Sequence, residues 1–264
     1  MPPNQTALLV DAHVHLHPCF DLADFLTAAR TNFQAQAKQL DLSQPIVGAL
    51  MLAEVSGVYA FADLISQQAQ INQRLSDWTV SPTEEATSLR FTHTSGDTLL
   101  VIAGRQAVTQ EKIEVLALAT TADIPDGLSL EETLERAISA DSLSVLPWGV
   151  GKWIGKRGKL VQTQLQAASQ SLFAGDNGGR PNFWPLPAYC QNLIPLPGSD
   201  PLPQPSEVSR PGSFGFAIEG HFDWSQPGES LKQILRSSES CIQAYGRLQS
   251  PWQFVQNQSL LRLS

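Results

Sequence analysis

The chain has 264 residues, 42% apolar and 16% charged, which is enough apolar material for a packed core and excludes a mainly disordered chain. Seventeen basic residues against 25 acidic ones give a net charge of −8, which argues against nucleic acid as a partner, since phosphate backbones call for a basic surface. No apolar run reaches the roughly 18–20 residues that cross a bilayer, and no basic stretch precedes the first apolar segment, so the expectation is a cytoplasmic protein with no membrane partner.

Residues 7–16 (ALLVDAHVHL) join a short apolar run to an alternating one and predict a buried strand. Leu22, Phe25, Leu26, Ala29, Phe33, Ala37 and Leu40 recur at helical steps, with Asp21 placed to cap the helix they predict. Pro45 to Ala53 predicts a second strand, and a helical stretch runs from Gly57 to about Leu75. Strand, helix, strand, helix favours parallel strands with helical crossovers. The region from Thr87 to Ala119 is rich in β-formers. It predicts a hairpin turning at Ser95-Gly96-Asp97, then a short strand from Glu114. Ser129 and Glu132 have the spacing of a capping box that opens a helix to about Ala140, and Ser144 to Leu146 reads as a strand. Nine of the 18 prolines lie between Pro181 and Pro211, among Phe, Trp and Leu residues that a flexible linker would lack, so this segment is expected to be ordered loop. A helix over about Glu229–Tyr245 and a segment at 251–263 end the chain. Cys19, Cys190 and Cys241 are far apart, as expected of reduced thiols. One domain over residues 1–264 accommodates this order of elements.

The most specific chemical signal is Asp11-Ala-His13-Val-His15-Leu-His17, which holds three of the five histidines. Residues i and i+2 of a strand share a face, so His13 and His15 point the same way and suit a divalent metal. His17, before Pro18, reads as a loop residue, and His93 and His221 as surface or packing histidines. Glu54, where the second strand ends, is a candidate further ligand or a solvated strand-end acid. Asp200, in Pro197-Gly198-Ser199-Asp200-Pro201, is a candidate ligand, a catalytic base toward metal-bound water, or a turn residue. Trp148 to Lys159 is glycine-rich and basic without being a Walker loop, so Trp148 and Lys152 are candidates for contact with a substrate anion, and Lys152 for stabilising developing charge. Asp176, Asn177 and Arg180 surround a Gly-Gly turn, where Arg180 can grip a carboxylate or phosphate with two prongs.

An apolar strand ending in Asp-x-His-x-His resembles the opening of metal-dependent β/α-barrel hydrolases, both amidohydrolases and the polymerase-and-histidinol-phosphatase (PHP) family. Ile102 to Gln106, Ile113 to Leu118, Ser129 to Pro147, and Gly198-Ser199-Asp200 are similar to further PHP segments, so the resemblance spans most of 7–202. It implies an α/β fold, a distorted TIM-like barrel of seven strands, with a β-hairpin insertion around 87–103, and hydrolysis of phosphoesters at a metal cluster. Four positions depart from the pattern: Gln106 replaces a Glu, and Leu116, Leu146 and Leu202 replace histidines. The ligand set this leaves is His13, His15 and Asp200, with Glu54 as a candidate fourth, for one divalent ion such as zinc, manganese or iron. The alternative is a metal-free site rebuilt around Trp148, Lys152, Asp176 and Arg180. The functions that follow are a hydrolase of a small anionic phosphoester, an amidohydrolase-like C–N hydrolase, or a degenerate barrel that binds a ligand or partner.

Overall fold

A computed structural model describes residues 6–42, 45–149, 152–153, 155–167, 172–181, 183–187, 190, 195–237 and 242–248. The opening apolar run forms β1 (Thr6–Val14), and α1 (Leu22–Gln39) follows, with the Asp21 carboxylate accepting the N–H groups of Ala23 and Asp24. Phe25, Leu26, Ala29, Phe33 and Ala37 line the buried face of α1, and burying each phenylalanine contributes roughly 1.5–3 kcal/mol. β2 (Val47–Leu52) is buried along its whole length and pairs parallel with β1. The helical stretch after Gly57 is two short helices, α2 (Ala60–Ser66) and α3 (Gln68–Arg74). Four strands come next: β3 (Trp78–Pro82), β4 (Ser88–His93), β5 (Thr98–Ile102) and β6 (Gly104–Val108). The chain continues through β7 (Glu114–Leu118), α4 (Leu130–Ser139), β8 (Leu143–Trp148), α5 (Lys156–Ala167) and β9 (Leu172–Asp176). The two-residue β10 (Leu196–Pro197), β11 (Gly215–Gly220), α6 (Pro227–Arg236) and β12 (Ile242–Tyr245) complete it. The capping box of Ser129 and Glu132 is formed at the start of α4.

The expected distorted seven-stranded TIM-like barrel is not what these strands make. They lie in two mixed sheets, in the orders β12-β11-β1-β2-β5-β4-β3 and β10-β9-β8-β7-β6, and no barrel closes among the described residues. The hairpin around 87–103 is present but is no insertion. β5 takes the free edge of β2 in parallel, from Val47↔Thr98 to Met51↔Ile102, and β4 and β3 extend the sheet outward. β11 takes the other edge of β1 in antiparallel register. With the edge of β2 filled by β5 and that of β1 filled by β11 as far as Val10, β6 to β10 pair among themselves.

Backbone hydrogen bonds join the two sheets where the ladders of β1 with β11 and of β2 with β5 have ended. Beyond β2, the Glu54 N–H donates to the Gly104 carbonyl at 3.1 Å and the Gln106 N–H to the Glu54 carbonyl at 2.8 Å. On β1, past its last pair with β11 at Val10, the Asp200 N–H donates to the His13 carbonyl at 2.8 Å, and the Ser199 N–H to the buried Asp11 carboxylate at 2.8 Å. A glycine permits each approach. A Cβ on Gly104 would stand 2.3 Å from the Leu52 carbonyl oxygen, and one on Gly198 2.3 Å from the His13 nitrogen.

Leu8, Val10, Ala12, Val47, Ala49 and Met51 pack against Leu116, Leu118, Leu143 and Val145 between the sheets, while α1 to α3 cover the opposite face of the larger one. The helix expected over 229–245 stops at Arg236. Ser237 is extended with its hydroxyl on the Ile234 carbonyl, and Ile242–Tyr245 is a strand on β11. The segment 251–263 lies outside the described residues. Among the described residues no helix is long and apolar enough to cross a membrane.

Candidate metal centre

Simple alternation along β1 would put His13 on the face of Leu9 and Asp11, toward the helices. The register of β1 against β2 shifts between Asp11 and Val14, and Val14 joins Leu9 in the helix-side core although its parity is opposite. An irregularity of this kind re-aims the side chains beyond it. His13 and His15 therefore turn to the side that faces the smaller sheet.

There His13 Nε2 and His15 Nε2 are 3.1 Å apart, and Asp200 Oδ1 lies 3.5 Å from the first and 3.2 Å from the second. Donors at about 2.0–2.2 Å from one tetrahedral ion stand about 3.3 Å from each other, so all three edges match such a site. Gln106 Oε1 lies 3.1 Å from His13 Nε2 and brings a fourth donor, a neutral oxygen. The chemistry of the set fits a cation as well as its geometry does. A neutral imidazole has one N–H, yet His13 Nε2 faces a carboxylate, an amide oxygen and a second ring nitrogen. These three residues are the one cluster of metal-ligating groups among the described residues.

Burial pushes the His13 pKa down to about 4 against the pull of Asp200, so its ring is neutral at neutral pH, the state a ligand needs. Burial alone would raise the Asp200 acid. The charges and hydrogen bonds of His13, His15 and Lys152 outweigh it and hold the carboxyl well below the usual range. Asp200 has its backbone in the left-handed region at φ 45°, which non-glycine residues rarely adopt. Its second oxygen accepts from Asn177 Nδ2 at 3.0 Å, so Asn177 orients the carboxylate. Asn177 in turn accepts the Gly179 N–H, holding the Gly-Gly turn after β9.

The other expected residues surround this group. Lys152 Nζ is 2.6 Å from Glu114 Oε2, and Glu114 and Asp200 together raise the lysine pKa against the effect of burial. Glu114, on β7, had no local signal, for its partner is 38 residues away. Asp176 and Arg180 hold each other: Arg180 Nε and Nη2 donate to Asp176 Oδ2 at 3.1 and 3.0 Å, and Nη1 donates to the Trp184 carbonyl. The guanidinium lies 5.9 Å from the ring of Trp148, which is buried at the end of β8. Glu54 stands outside the three-residue group, and its carboxylate accepts the Phe61 N–H at the start of α2. His17 stacks on His15 and reaches the Pro201 carbonyl with Nε2 at 2.9 Å. Leu116 and Leu146, where the resemblance would put histidines, are buried among apolar neighbours.

No family model matches the chain, and no curated protein matches it in sequence. Solved structures similar in fold include the following two. PsfC from Pseudomonas syringae PB-5123 superposes with a TM-score of 0.54 at 17% identity, over 99% of this chain and 100% of that one. The lesion-specific endonuclease PfuEndoQ from Pyrococcus furiosus gives 0.53 at 10% identity, over 90% of this chain and 57% of that one. At these identities the likeness is one of fold.

Proposed function

We propose that this chain is a PHP-like, metal-dependent hydrolase of phosphoesters carried by small anionic molecules. The observation that carries the reading is the convergence of His13 Nε2, His15 Nε2 and Asp200 Oδ1 at the spacing one divalent ion requires. Two imidazoles and one carboxylate suit zinc, manganese or iron. When bound, such an ion supplies Lewis acidity and lowers the pKa of water at its open position. His13, neutral because it is buried, offers a lone pair. Asp200 supplies the negative charge, and a carboxyl held so far down is a better ligand than a base at neutral pH. Lys152, fixed by Glu114, is the cation beside the group that would hold a phosphoryl oxygen and stabilise charge developing on it. Arg180 and Asp176 brace the turn that carries Asn177. An endonuclease cuts phosphodiesters, so the fold shared with PfuEndoQ supports this bond type, while a net charge of −8 favours a small substrate over a polymer.

A second reading is a ligand-binding protein without catalysis, favoured by the apolar packing of Leu116 and Leu146 beside the donors. Elemental analysis decides between them, on protein never exposed to chelator or nickel resin and beside a His13→Ala/His15→Ala variant. The expected result is about one equivalent of metal per chain, lost in the variant, with turnover in a panel of phosphomonoesters and diesters. No metal after reconstitution at neutral pH overturns the hydrolase reading. Metal with turnover of cyclic amides alone replaces it with a C–N hydrolase.

A further inference from the structure

A cleft of about 390 Å³ opens next to the donor group, between the chain leaving β1 and the helices α2 and α3. One ring separates the two: His17 lines the cleft and is stacked on His15, their centroids 5.2 Å apart. The cleft has an apolar floor, with Phe20, Leu64 and Ile71 buried in it. Its rim is polar and includes Arg74, which has no acidic group within 4.0 Å among the described residues.

Both walls are built rather than loose. On one side the His17 ring is held by the Pro201 carbonyl. On the other, the buried Arg105 donates to the carbonyls of Val55 and Val58, and its guanidinium lies 5.5 Å from the Tyr59 ring. The Glu54 carboxylate closes the same loop onto α2 through Phe61. Tyr59 is nonetheless 53% exposed, a large aromatic surface at the mouth of the cleft.

We infer that this cleft takes the organic half of the substrate, and that this half is an aromatic or similarly flat apolar group esterified to the phosphate held at the donor group; the inference rests on the hydrolase reading above. The volume is that of a small-molecule site. A sugar or polyol would find partners only at the rim and would set its remaining hydroxyls against Phe20, Leu64 and Ile71, whereas a flat apolar group covers that floor and lies against Tyr59.

The test is calorimetric titration of the metal-loaded full chain with phenylphosphonate and with methylphosphonate, which share the anion and differ only in the group bound for the cleft. Phenylphosphonate is expected to bind at least about ten-fold tighter, from the apolar area it buries. Gln67→Trp, which fills the cleft from an exposed rim position, and Tyr59→Ala, which removes a wall, are each expected to bring the ratio near one without changing the affinity for methylphosphonate. Equal binding by the wild type, or a preference that survives either variant, overturns the cleft assignment and leaves the hydrolase reading standing. If neither phosphonate binds, both fall.

Discussion

Replacing Gly198 by alanine tests whether the close approach of two segments builds the donor group. The added Cβ would fall 2.3 Å from the His13 nitrogen and 2.4 Å from its Cβ, where ordinary contact begins at 3.4 Å. Neither obstacle can rotate aside, so residues 198–200 must retreat from β1 by about 1 Å, an overpacking that costs about 1–3 kcal/mol. In a chain of this size that lowers Tm by about 2–10 °C. Asp200 moves with the segment. Its N–H leaves the His13 carbonyl and its Oδ1 leaves the two imidazoles. Coordination tolerates about 0.2 Å, so affinity for the ion should fall at least as far as when a supporting residue is lost, about 10- to 100-fold. Thermal unfolding of the metal-free protein reads the first effect and chelator competition the second. A variant that melts and binds metal like the wild type would refute the reasoning, because the segment would then have room that the geometry denies it.

Asn177→Ala removes the donor to Asp200 Oδ2, and chelator competition should show metal affinity about ten-fold weaker, with the ion count at saturation unchanged. Lys152→Met should keep the metal and lower kcat/KM for a phosphoester about 100-fold, measured by steady-state kinetics at saturating metal. Asp11 and His13 impose opposite pH dependences on stability. Burial raises the Asp11 acid from 3.8 to about 6, so the folded state holds its proton longer and loses stability as pH rises through that window. His13, lowered from 6.5 to about 4, makes stability rise with pH over nearly the same range. In metal-free Asp11→Asn only the second slope remains. Urea unfolding should then show the variant gaining about 3 kcal/mol relative to wild type between pH 4 and pH 7, and a constant difference would show that Asp11 does not titrate there.

The histidine pair was legible because polar residues in an apolar run have few uses. Which way the pair faces was not, since no residue type announces the register shift between Asp11 and Val14. α1 and α4 followed from periodicity with a capping residue, both local properties. The closed barrel failed because the order of strands along the chain does not say which strand takes the free edge of β2. The β5 hairpin competes for that edge and wins with five consecutive register pairs. The helix over 229–245 was overextended because its amphipathic pattern continues past the point where β11 offers a partner for Ile242–Tyr245. Asp200 was a candidate from its own turn but equally a turn residue, and Glu114 did not enter at all, since each meets its partners only across the fold. Glu54 was rightly placed at a strand end. What its carboxylate does there depends on where α2 begins.

Three features that packing does not require coincide at the donor group. Asp200 adopts a backbone conformation that costs a non-glycine residue about 1 kcal/mol. The Nε2 atoms of His13 and His15 face each other at 3.1 Å, and His13 Nε2 meets the Asp200 carboxylate and the Gln106 oxygen as well, more acceptors than the single N–H of a neutral ring can serve. A largely buried carboxylate lies against both, and the nearest fixed cation, Lys152, already has Glu114 as a partner. Gly198 and the register shift in β1 are the two departures from regular structure that bring these groups together. An apolar pair at 13 and 15 with a turn residue at 200 would close the same seam through the same backbone hydrogen bond from Asp200 to His13. The side chains are therefore surplus to the fold. A divalent cation at their centre would give both imidazole lone pairs and the carboxylate one common partner, and that is the physical case for reading the seam as a site rather than as a joint.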